Sequence, residues 1–286
     1  MDDVKYLRMK ERRKLKVGFQ GVEGSFSQQA LIKYFKEDVQ MKNVRDFEDV
    51  FKLLKNNEVD YGVLPIENSS TGGITEVYDL LRRYKAYIIG ERCIKVEHHL
   101  LGIQGTTIED IKEVYSHPQA FHQSSEFFKK HNDWKLIPYH NTAVSAKLIK
   151  DTNIKSKAAV GNKKAADLYD LEVIASSIHD NKKNHTRFII IGNKLEIPED
   201  GEKISVVFTT PHQAGALYGI LRYFAEKDLN MLKIESRPKI DHPWEYFFYI
   251  DFEGNLREKT VKKALELIEK NSASFQLLGN YKGHKG

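Results

Sequence analysis

The sequence predicts an α/β protein with two parts, a larger two-lobed domain and then a smaller ferredoxin-like domain of βαββαβ order. Its 286 residues exceed the usual length of one domain, and 41% of them are apolar, enough for packed cores. Short apolar runs alternate with amphipathic stretches in the first two thirds of the chain, which favours parallel βαβ units. The pattern changes after residues 193–203, a charged segment with Pro and Gly but no periodicity.

The first lobe is predicted from segments that follow one another closely. "LKVGF" and "YGVLPIEN" are typical of strands, and "SQQALIKYF", "FEDVFKLLKNN" and "ITEVYDLLRRY" have helical spacing. Asp46 stands where it could cap the second of these helices. The long apolar stretch "AYIIGERCIKVEHHLLGI" indicates extended chain that crosses into a second lobe.

The second lobe is predicted from a similar alternation between "TIEDIKEVYSH" and "LEVIASSI". The chain is expected to cross back near residue 180, so that "NHTRFIIIG" lies close to the hinge. We expect one lobe from residues 16–93 together with 180–194, and a second lobe from residues 94–179. Residues 1–15, which are rich in Lys and Arg, are expected to form a solvated tail or linker.

The last part, residues 203–286, contains six segments whose order is strand, helix, strand, strand, helix, strand. They are "ISVVFTT", "AGALYGILRYFAEKDL", "NMLKIESRP", "EYFFYIDFEG", "REKTVKKALELIEK" and "SFQLLGNY". This βαββαβ order within about 80 residues predicts a ferredoxin-like unit.

Composition excludes several classes of function. The 45 basic and 40 acidic residues give a net charge of +5 with no dense basic patch outside the tail, so no nucleic-acid partner is expected. The single cysteine, Cys93, excludes an internal disulfide and a Cys-based zinc cluster. No apolar run approaches 18 residues and none resembles a signal peptide, so we expect a cytoplasmic protein that does not contact a membrane.

Two glycine-containing loops follow predicted strands. In "QGVEGSFSQQA", Ser25 and Ser27 precede a helix whose free N–H groups could attract an anion; a plain turn capped by Ser27 is the alternative. No Lys follows, so this is not a nucleotide-binding P-loop. In "PIENSSTGG", polar side chains suited to a carboxylate or hydroxyl ligand cluster at a strand end, although such residues also simply form loops.

Two further segments complete the candidate site. In "YSHPQAFHQSSEFF", Ser116 ends a strand, Pro118 suits a first helical turn, and Gln119 and Gln123 share one helix face. The histidines there lack the spacing of a helical metal pair, so no metal is expected. In "NHTRFIIIG", Thr186 and Arg187 precede an apolar run; they could face a ligand in the cleft, or be a strand-edge Thr and a surface Arg.

These segments together resemble those of the prephenate dehydratase family. "GVEGSFSQQA", "YGVLPIENSSTGGI", "SHPQAFHQ" and "NHTRFIIIG" resemble its catalytic motifs, and "AGALYGIL" and "KIESRP" resemble its C-terminal ACT domain, over about residues 16–282. The resemblance implies a periplasmic-binding-protein-like catalytic domain that converts prephenate to phenylpyruvate, water and CO2 without a cofactor. It implies phenylalanine as an allosteric effector and a homodimer or homotetramer. Sixteen residues cannot hold the chorismate mutase unit of some members, so a monofunctional enzyme, or a piece cut from a fusion, is expected.

The resemblance also assigns roles to residues. It implies a catalytic set of Thr186, Asn68, Ser116 and Gln123. Thr186 would donate a hydrogen bond to the leaving hydroxyl. The chemistry of its guanidinium, apart from the resemblance, best suits Arg187 to the pyruvyl carboxylate. The other expected substrate contacts are Ser25, Glu67, Ser69, Ser70, Thr71 and Phe188. The expected phenylalanine site comprises Gly215, Ala216, Leu217, Glu235, Ser236 and Arg237.

Two alternatives remain open on the sequence. Arogenate dehydratase acts on the amino counterpart of prephenate, and the motifs do not distinguish the two substrates. A two-lobed small-ligand sensor without chemistry is compatible with the fold, although the Thr-Arg-Phe and Pro-Ile-Glu-Asn segments argue against it. An assay of phenylpyruvate formation from prephenate separates the enzyme from the sensor, and a comparison of kcat/KM for the two substrates separates the two dehydratases.

Overall fold

The structure is a computed structural model that describes residues 13–36, 38–240 and 242–284. Most of the tail predicted at residues 1–15 lies outside these residues. In chain order the first elements are β1 (Lys16–Gln20), α1 (Phe26–Phe35), β2 (Gln40–Val44), α2 (Phe47–Lys55), β3 (Tyr61–Asn68), β4 (Gly72–Gly73), α3 (Thr75–Tyr84) and β5 (Tyr87–Lys95). β1 pairs in parallel with both β2 and β3, as the alternation of strands and helices predicts.

The second lobe has its own sheet. Its elements are β6 (His99–Gly102), β7 (Glu113–Ser116), α4 (Pro118–His122), α5 (Ser125–Phe128), β8 (Lys135–Pro138), α6 (Thr142–Thr152), β9 (Lys157–Gly161), α7 (Lys163–Leu168) and β10 (Glu172–Ala175). The strand order is β10-β6-β9-β7-β8. β7 is parallel to β8 and β9, whereas β6 is antiparallel to β9 and β10.

The chain then returns to the first sheet through β11 (His185–Gly192), which lies between β3 and β5 and is antiparallel to both. The expectation of parallel βαβ units is therefore only partly right. Strands joined by helices within a lobe are parallel, whereas strands adjacent to the two crossovers run the other way. Mixed sheets of this kind are common among the larger sheets of α/β proteins.

The C-terminal unit has the predicted βαββαβ order. Its elements are β12 (Lys203–Thr209), α8 (Ala216–Glu226), β13 (Met231–Lys239), β14 (His242–Glu253), α9 (Lys259–Asn271) and β15 (Ser274–Tyr281). All strand pairs are antiparallel, in the order β13-β14-β12-β15, which is the ferredoxin-like topology. β13 is therefore one edge of this sheet.

Side-chain caps explain where several helices begin. Ser25 caps α1 by accepting a bond from the Gln28 N–H, so the alternative that placed the cap at Ser27 is wrong; Ser27 is the second helical residue and is buried. Asp46 occupies the cap position of α2, but its side chain makes no capping bond. α4 begins at Pro118, as expected for a first helical turn.

In the described parts of the chain, no helix combines the length and apolarity that crossing a membrane requires.

The C-terminal unit shares a hydrophobic core with the first lobe. Val207, Tyr249, Leu278 and Tyr281 pack in the same cluster as the apolar faces of α2 and α3. β15 also runs so close to β5 that a Cβ added to Gly279 would lie 2.1 Å from the Ile88 carbonyl oxygen. Because that oxygen is a backbone atom and cannot easily move, only glycine fits at this point.

Candidate active site

The two lobes enclose a cleft of about 330 Å³ beside the segments that join them. The first lobe contributes Gln20, Ser25, Asn68, Thr71, Thr186 and Phe188, among others. The second lobe contributes His117, Gln119, Gln123, His140, Asn141 and Thr142. No Lys, Arg, Asp or Glu is among the described residues that line it. The cleft is thus lined by neutral hydrogen-bonding groups and apolar patches, which suits a small polar ligand.

Thr186 and Asn68 lie directly opposite each other in the pairing of β11 with β3. The Asn68 Nδ2 donates to the Thr186 Oγ1 at 2.9 Å. The hydroxyl of Thr186 therefore acts as an acceptor toward Asn68, and its own proton bonds no other group in the described residues. That proton is left to point into the cleft, where it can donate to a bound ligand.

The orientation of the Asn68 amide follows from its other partners. Its Oδ1 accepts from the backbone N–H groups of Ser70 and Thr71 at 3.0 and 3.2 Å, so the oxygen must face this turn. The nitrogen then faces Thr186 and also donates to the Oδ1 of Asn184, at 2.8 Å. Asn184 is almost fully buried and comes just before β11. Asn184 is the first residue of "NHTRFIIIG", and the sequence does not predict its role.

Several helix N-termini are directed at the cleft. The first residues of α1, the loop before α3 and the first residues of α6 all contribute to its lining. Ser25 lies there as the α1 cap, and Asn141 caps α6 by accepting from the Val144 N–H. Backbone N–H groups at helix N-termini attract anions, since they lack intrahelical partners and carry the positive end of the helix dipole.

The second-lobe wall is bonded to the first lobe. The Gln119 Nε2 donates to the Thr71 Oγ1 at 3.1 Å across the cleft. The Gln123 Oε1 lies 2.9 Å from the Nε2 of His98, which belongs to the segment joining the lobes. Burial lowers the pKa of His98 to about 4, so the imidazole is neutral near pH 7. The helical spacing predicts that Gln119 shares a face with Gln123, whereas the sequence does not predict His98 as a site residue.

Arg187 does not face the cleft, and the expectation that it grips a substrate carboxylate is wrong. Successive side chains of a strand point to opposite faces, so Thr186 in the cleft places Arg187 on the far side. There its guanidinium bonds Glu67, Glu91 and Asp251 at 2.8–3.1 Å. Asp251 belongs to the C-terminal unit. Burial opposes the charged form of Arg187, but the Asp251 and Glu91 carboxylates keep its pKa well above the ordinary value.

Glu67 also lies outside the cleft, because it is paired with Arg187 and shares its face of the sheet. It pairs with Arg187 across β3 and β11 and accepts from the Lys233 Nζ at 2.6 Å, so it contacts the C-terminal unit instead of a substrate. We call this group the interdomain ion cluster, and it comprises Arg187, Glu67, Glu91, Asp251, Lys203 and Lys233. The sequence expectation missed it because its members are far apart in the chain.

Three predicted hydroxyl residues lie beside the cleft without lining it. Ser116 is fully buried and donates to the Val160 carbonyl of the neighbouring strand at 3.0 Å, so the expected catalytic contact is not supported. The Ser69 hydroxyl accepts from the His185 N–H at 2.9 Å. The Ser70 hydroxyl accepts from the Asn181 amide at 3.0 Å. Ser69 and Ser70 therefore hold the loop after β3 against the returning chain.

The residues expected to form a phenylalanine site are split between two faces. Gly215 caps α8 with a φ of 81°, and Ala216 and Leu217 form its first turn. Glu235 and Arg237 point toward the first lobe: the Glu235 carboxylate lies against Gly73, and Arg237 bonds Asp79 at 3.0 Å. Ser236 points to the opposite, exposed face of β13. One ligand at the α8 N-terminus therefore cannot contact Glu235 and Ser236 together in this arrangement, which corrects that part of the expectation.

A family model described as Prephenate dehydratase matches residues 17–196, more than half of the chain. A bifunctional chorismate mutase/prephenate dehydratase of Buchnera aphidicola subsp. Acyrthosiphon pisum is 37% identical over 272 residues, which are 93% of this chain and 71% of the relative. An arogenate dehydratase/prephenate dehydratase 2, chloroplastic, of Arabidopsis thaliana is 35% identical, over 94% of this chain and 73% of the relative.

Solved structures agree over nearly the whole chain. A prephenate dehydratase from Arthrobacter aurescens in complex with L-Phe superposes with a TM-score of 0.86 at 29% identity, covering 94% of this chain and 90% of that one. GqqA, described as a novel type of quorum quenching acylase, superposes with a TM-score of 0.84 at 27% identity, covering 94% and 98%. The similarity therefore includes both lobes and the C-terminal unit.

Proposed function

The chain belongs to the prephenate dehydratase family, and on that premise we propose that the cleft between its lobes carries out the decarboxylative dehydration of prephenate to phenylpyruvate. The observation that carries the proposal is the Asn68–Thr186 bond, which leaves the Thr186 proton facing a cleft of neutral donors. The enzyme is a carbon–oxygen lyase.

In this reaction the ring carboxylate leaves as CO2, and its electron pair completes the aromatic ring while the bond from the ring to its hydroxyl breaks. The departing hydroxide takes up a proton and leaves as water. Thr186 donates a hydrogen bond to this oxygen as negative charge develops on it, in the manner of an oxyanion-hole donor. Because the Asn68 amide already bonds the Thr186 oxygen, the donor needs no reorientation during the reaction.

The two substrate carboxylates require partners other than Arg187. The helix N-termini of α1, α3 and α6 supply backbone N–H groups at the cleft, and Ser25, Thr71, Gln119 and Gln123 add neutral side chains. Neutral donors hold a carboxylate less tightly than an ion pair. This suits the ring carboxylate, because a strong ion pair would stabilise the charge that has to leave as CO2 and would slow the step.

The test is an assay of phenylpyruvate formation from prephenate, with arogenate measured in parallel, since a relative is named for both activities. We expect turnover of prephenate and a higher kcat/KM for it than for arogenate. If neither substrate is turned over while both bind, the protein is a two-lobed sensor and the proposed chemistry is wrong.

We further propose that the C-terminal unit is an ACT domain that binds phenylalanine and inhibits the enzyme. The support is its βαββαβ order and the Arthrobacter aurescens structure in complex with L-Phe. The N–H groups of Gly215 and Leu217 at the start of α8 are offered to the ligand's carboxylate, whereas the Ala216 N–H already donates to the Gln213 carbonyl at 3.3 Å. Lys233, Glu235 and Arg237 on the inner face of β13 reach the first lobe, and could transmit the effect to the loop that carries Thr71 and Gly73.

We also propose that the chain forms a homodimer or homotetramer through this domain. β13 is an edge strand, and Ile234 on β13, Tyr218 on α8 and Trp244 on β14 are 49%, 70% and 77% exposed. Exposed apolar side chains beside an unpaired strand edge favour association. Light scattering after size-exclusion chromatography should show a dimer or tetramer, and Ile234→Lys should shift it toward monomer. A monomeric wild-type protein contradicts the proposal.

A further inference from the structure

The segments that join the lobes are bonded to each other beside the cleft. The Val96 N–H donates to the Asn184 carbonyl at 2.9 Å, and the Ile178 N–H donates to the His98 carbonyl at 2.8 Å. His98 lies in the outgoing segment, 3% exposed, and still contributes to the cleft lining. Its ring is thus held at the hinge and next to the substrate space at once.

Gln123 is fixed to both of these segments. Its side-chain Oε1 lies 2.9 Å from the His98 Nε2 in the outgoing segment. Its main-chain carbonyl accepts from the Asp180 N–H, in the returning segment, at 2.7 Å. In the described part of the chain no group accepts from the Gln123 Nε2. The amide nitrogen is therefore the one part of Gln123 left for a ligand in the cleft.

The direction of the amide depends on which nitrogen of His98 carries the proton. With the proton on Nε2, His98 donates to the Gln123 oxygen and the amide NH2 faces the cleft. With the proton on Nδ1, the amide has to flip, and the Nδ1–H has no acceptor among the residues that the structure describes. An unpaired buried N–H is more costly than an unpaired lone pair, so the first arrangement is favoured.

The ring itself is held against rotation. The rings of Phe26 and His179 both pack edge-on against the His98 imidazole, with centroids 6.1 and 6.3 Å away. Burial also keeps the ring neutral, because it lowers the His98 pKa to about 4. A neutral imidazole with one N–H in one direction can select one of the two amide orientations of Gln123.

We propose that His98 is a positioning residue of the dehydratase: through its Nε2–H it holds the Gln123 amide with the NH2 group presented to the substrate. This inference rests on the proposed function, because it assumes that Gln123 contacts prephenate. It predicts that His98 acts through Gln123 alone, and that any side chain with a donor at the same reach can replace it.

The first test needs no substrate and uses one variant only to assign the signal. Long-range ¹H–¹⁵N NMR spectra of the full chain with labelled histidine, near pH 7.5, report which ring nitrogen is protonated. We expect the Nε2–H form for His98, assigned by its loss in His98→Gln. The Nδ1–H form would overturn the proposal whatever the activity of the enzyme.

The second test is a double-mutant cycle in the prephenate assay, after the wild type has shown turnover. His98→Leu removes the donor and should lower kcat/KM by about 10- to 100-fold, as for other losses of substrate orientation. His98→Gln keeps an N–H at similar reach and should retain most of the activity. In a Gln123→Ala background, His98→Leu should change kcat/KM by less than about twofold, since residues that act through one contact are not additive.

Two outcomes of the cycle contradict the proposal. One is an equal loss from His98→Leu with and without Gln123, which indicates a general structural role. The other is a His98→Gln variant as impaired as His98→Leu. If His98→Leu does not fold, the tautomer from NMR and the activity of His98→Gln still decide the matter. An inactive wild type with the Nε2–H form would count against the proposed function and leave the geometry of His98 supported.

Discussion

Thr186 shows how a weak donor becomes useful when one neighbour fixes its direction. A Thr hydroxyl rotates freely in water and is a poor acid. Here the Asn68 amide occupies its acceptor side, and the Asn68 oxygen is held by the Ser70 and Thr71 N–H groups. The chain of bonds therefore begins at a backbone turn, which is rigid, and ends at a hydroxyl proton in the cleft.

We expect Thr186→Ala to lower kcat by about 10²-fold or more, with a much smaller change in KM, because the bond strengthens mainly as charge develops on the leaving oxygen. Thr186→Ser keeps the hydroxyl and should retain much more activity. Steady-state kinetics with prephenate measure both. A near-normal kcat for the Ala variant would show that another group assists the departure of hydroxide.

His98 should make the protein sensitive to acid. Its pKa is 6.5 when exposed and falls to about 4 in the fold through burial. Between these values the unfolded chain binds a proton that the folded chain does not, so stability is full above pH 6.5 and is lost as the pH falls toward 4. Urea unfolding at pH 7.5 and 5 should show a loss attributable to His98 of about 2 kcal/mol. His98→Gln is the control, and an equal loss in that variant would contradict this assignment.

At the scale of elements, strand alternation gives the Thr-Arg pair two separate functions. β11 lies between β3 and β5, so one of its faces borders the cleft and the other faces the C-terminal unit. Thr186 and Phe188 take the first face, and Arg187 takes the second. The interdomain ion cluster thus lies one residue away from the reacting group. Within it, the Arg187 and Lys203 charges overcome the effect of burial and lower the pKa of Asp251.

We expect Arg187→Lys to destabilise the fold by about 1–3 kcal/mol while KM for prephenate stays within about twofold. An ammonium cannot reproduce the planar contacts of a guanidinium with three carboxylates, and a poorly paired buried charge is costly. Urea unfolding and steady-state kinetics measure the two effects. If the stability is unchanged and KM rises strongly, the prediction is wrong and Arg187 takes part in substrate binding.

At the scale of the whole molecule, the C-terminal unit packs directly against the first lobe and is not a separate module on a linker. It shares a core with α2 and α3, approaches β5 through Gly279, and holds the interdomain ion cluster. Removing it would expose apolar surface and leave buried carboxylates unpaired. Tests of phenylalanine regulation should therefore use point variants of the full chain rather than a truncation.

We expect Gly215→Ala to weaken inhibition by phenylalanine, whereas Gly219→Ala should leave it unchanged. Gly215 has a φ of 81°, which L residues adopt only at a cost of about 1–2 kcal/mol, and an added methyl would stand at the α8 N-terminus. Gly219 is one turn further along and has open space for a methyl group, so it is a matched control. Inhibition assays and calorimetric titration measure the effect. Equal inhibition of both variants would place the effector elsewhere.

Much of the protein followed from the sequence alone. Apolar periodicity predicted the strands and helices and the βαββαβ order, because burial of one face imposes a local repeat of 2 or 3.6 residues. The motifs around Asn68, Gln123 and Thr186 indicated a polar site with no metal-binding or nucleotide-binding motif beside it. The structure brings these three residues to one cleft. These features depend on neighbours in the chain, which a sequence displays directly.

Only the tertiary structure decided which way the side chains face and what they bond. Arg187 and Glu67 were expected in the cleft, yet they bond Asp251 and Lys233 of a unit that begins after residue 200. Ser116 was expected to act on the substrate, yet it is bonded inside the second sheet. Asn184 and His98 gained their roles from partners in other segments. The physical reason is that a hydrogen bond or ion pair depends on distance in space, and the partners of these groups are 25 to 166 positions away along the chain.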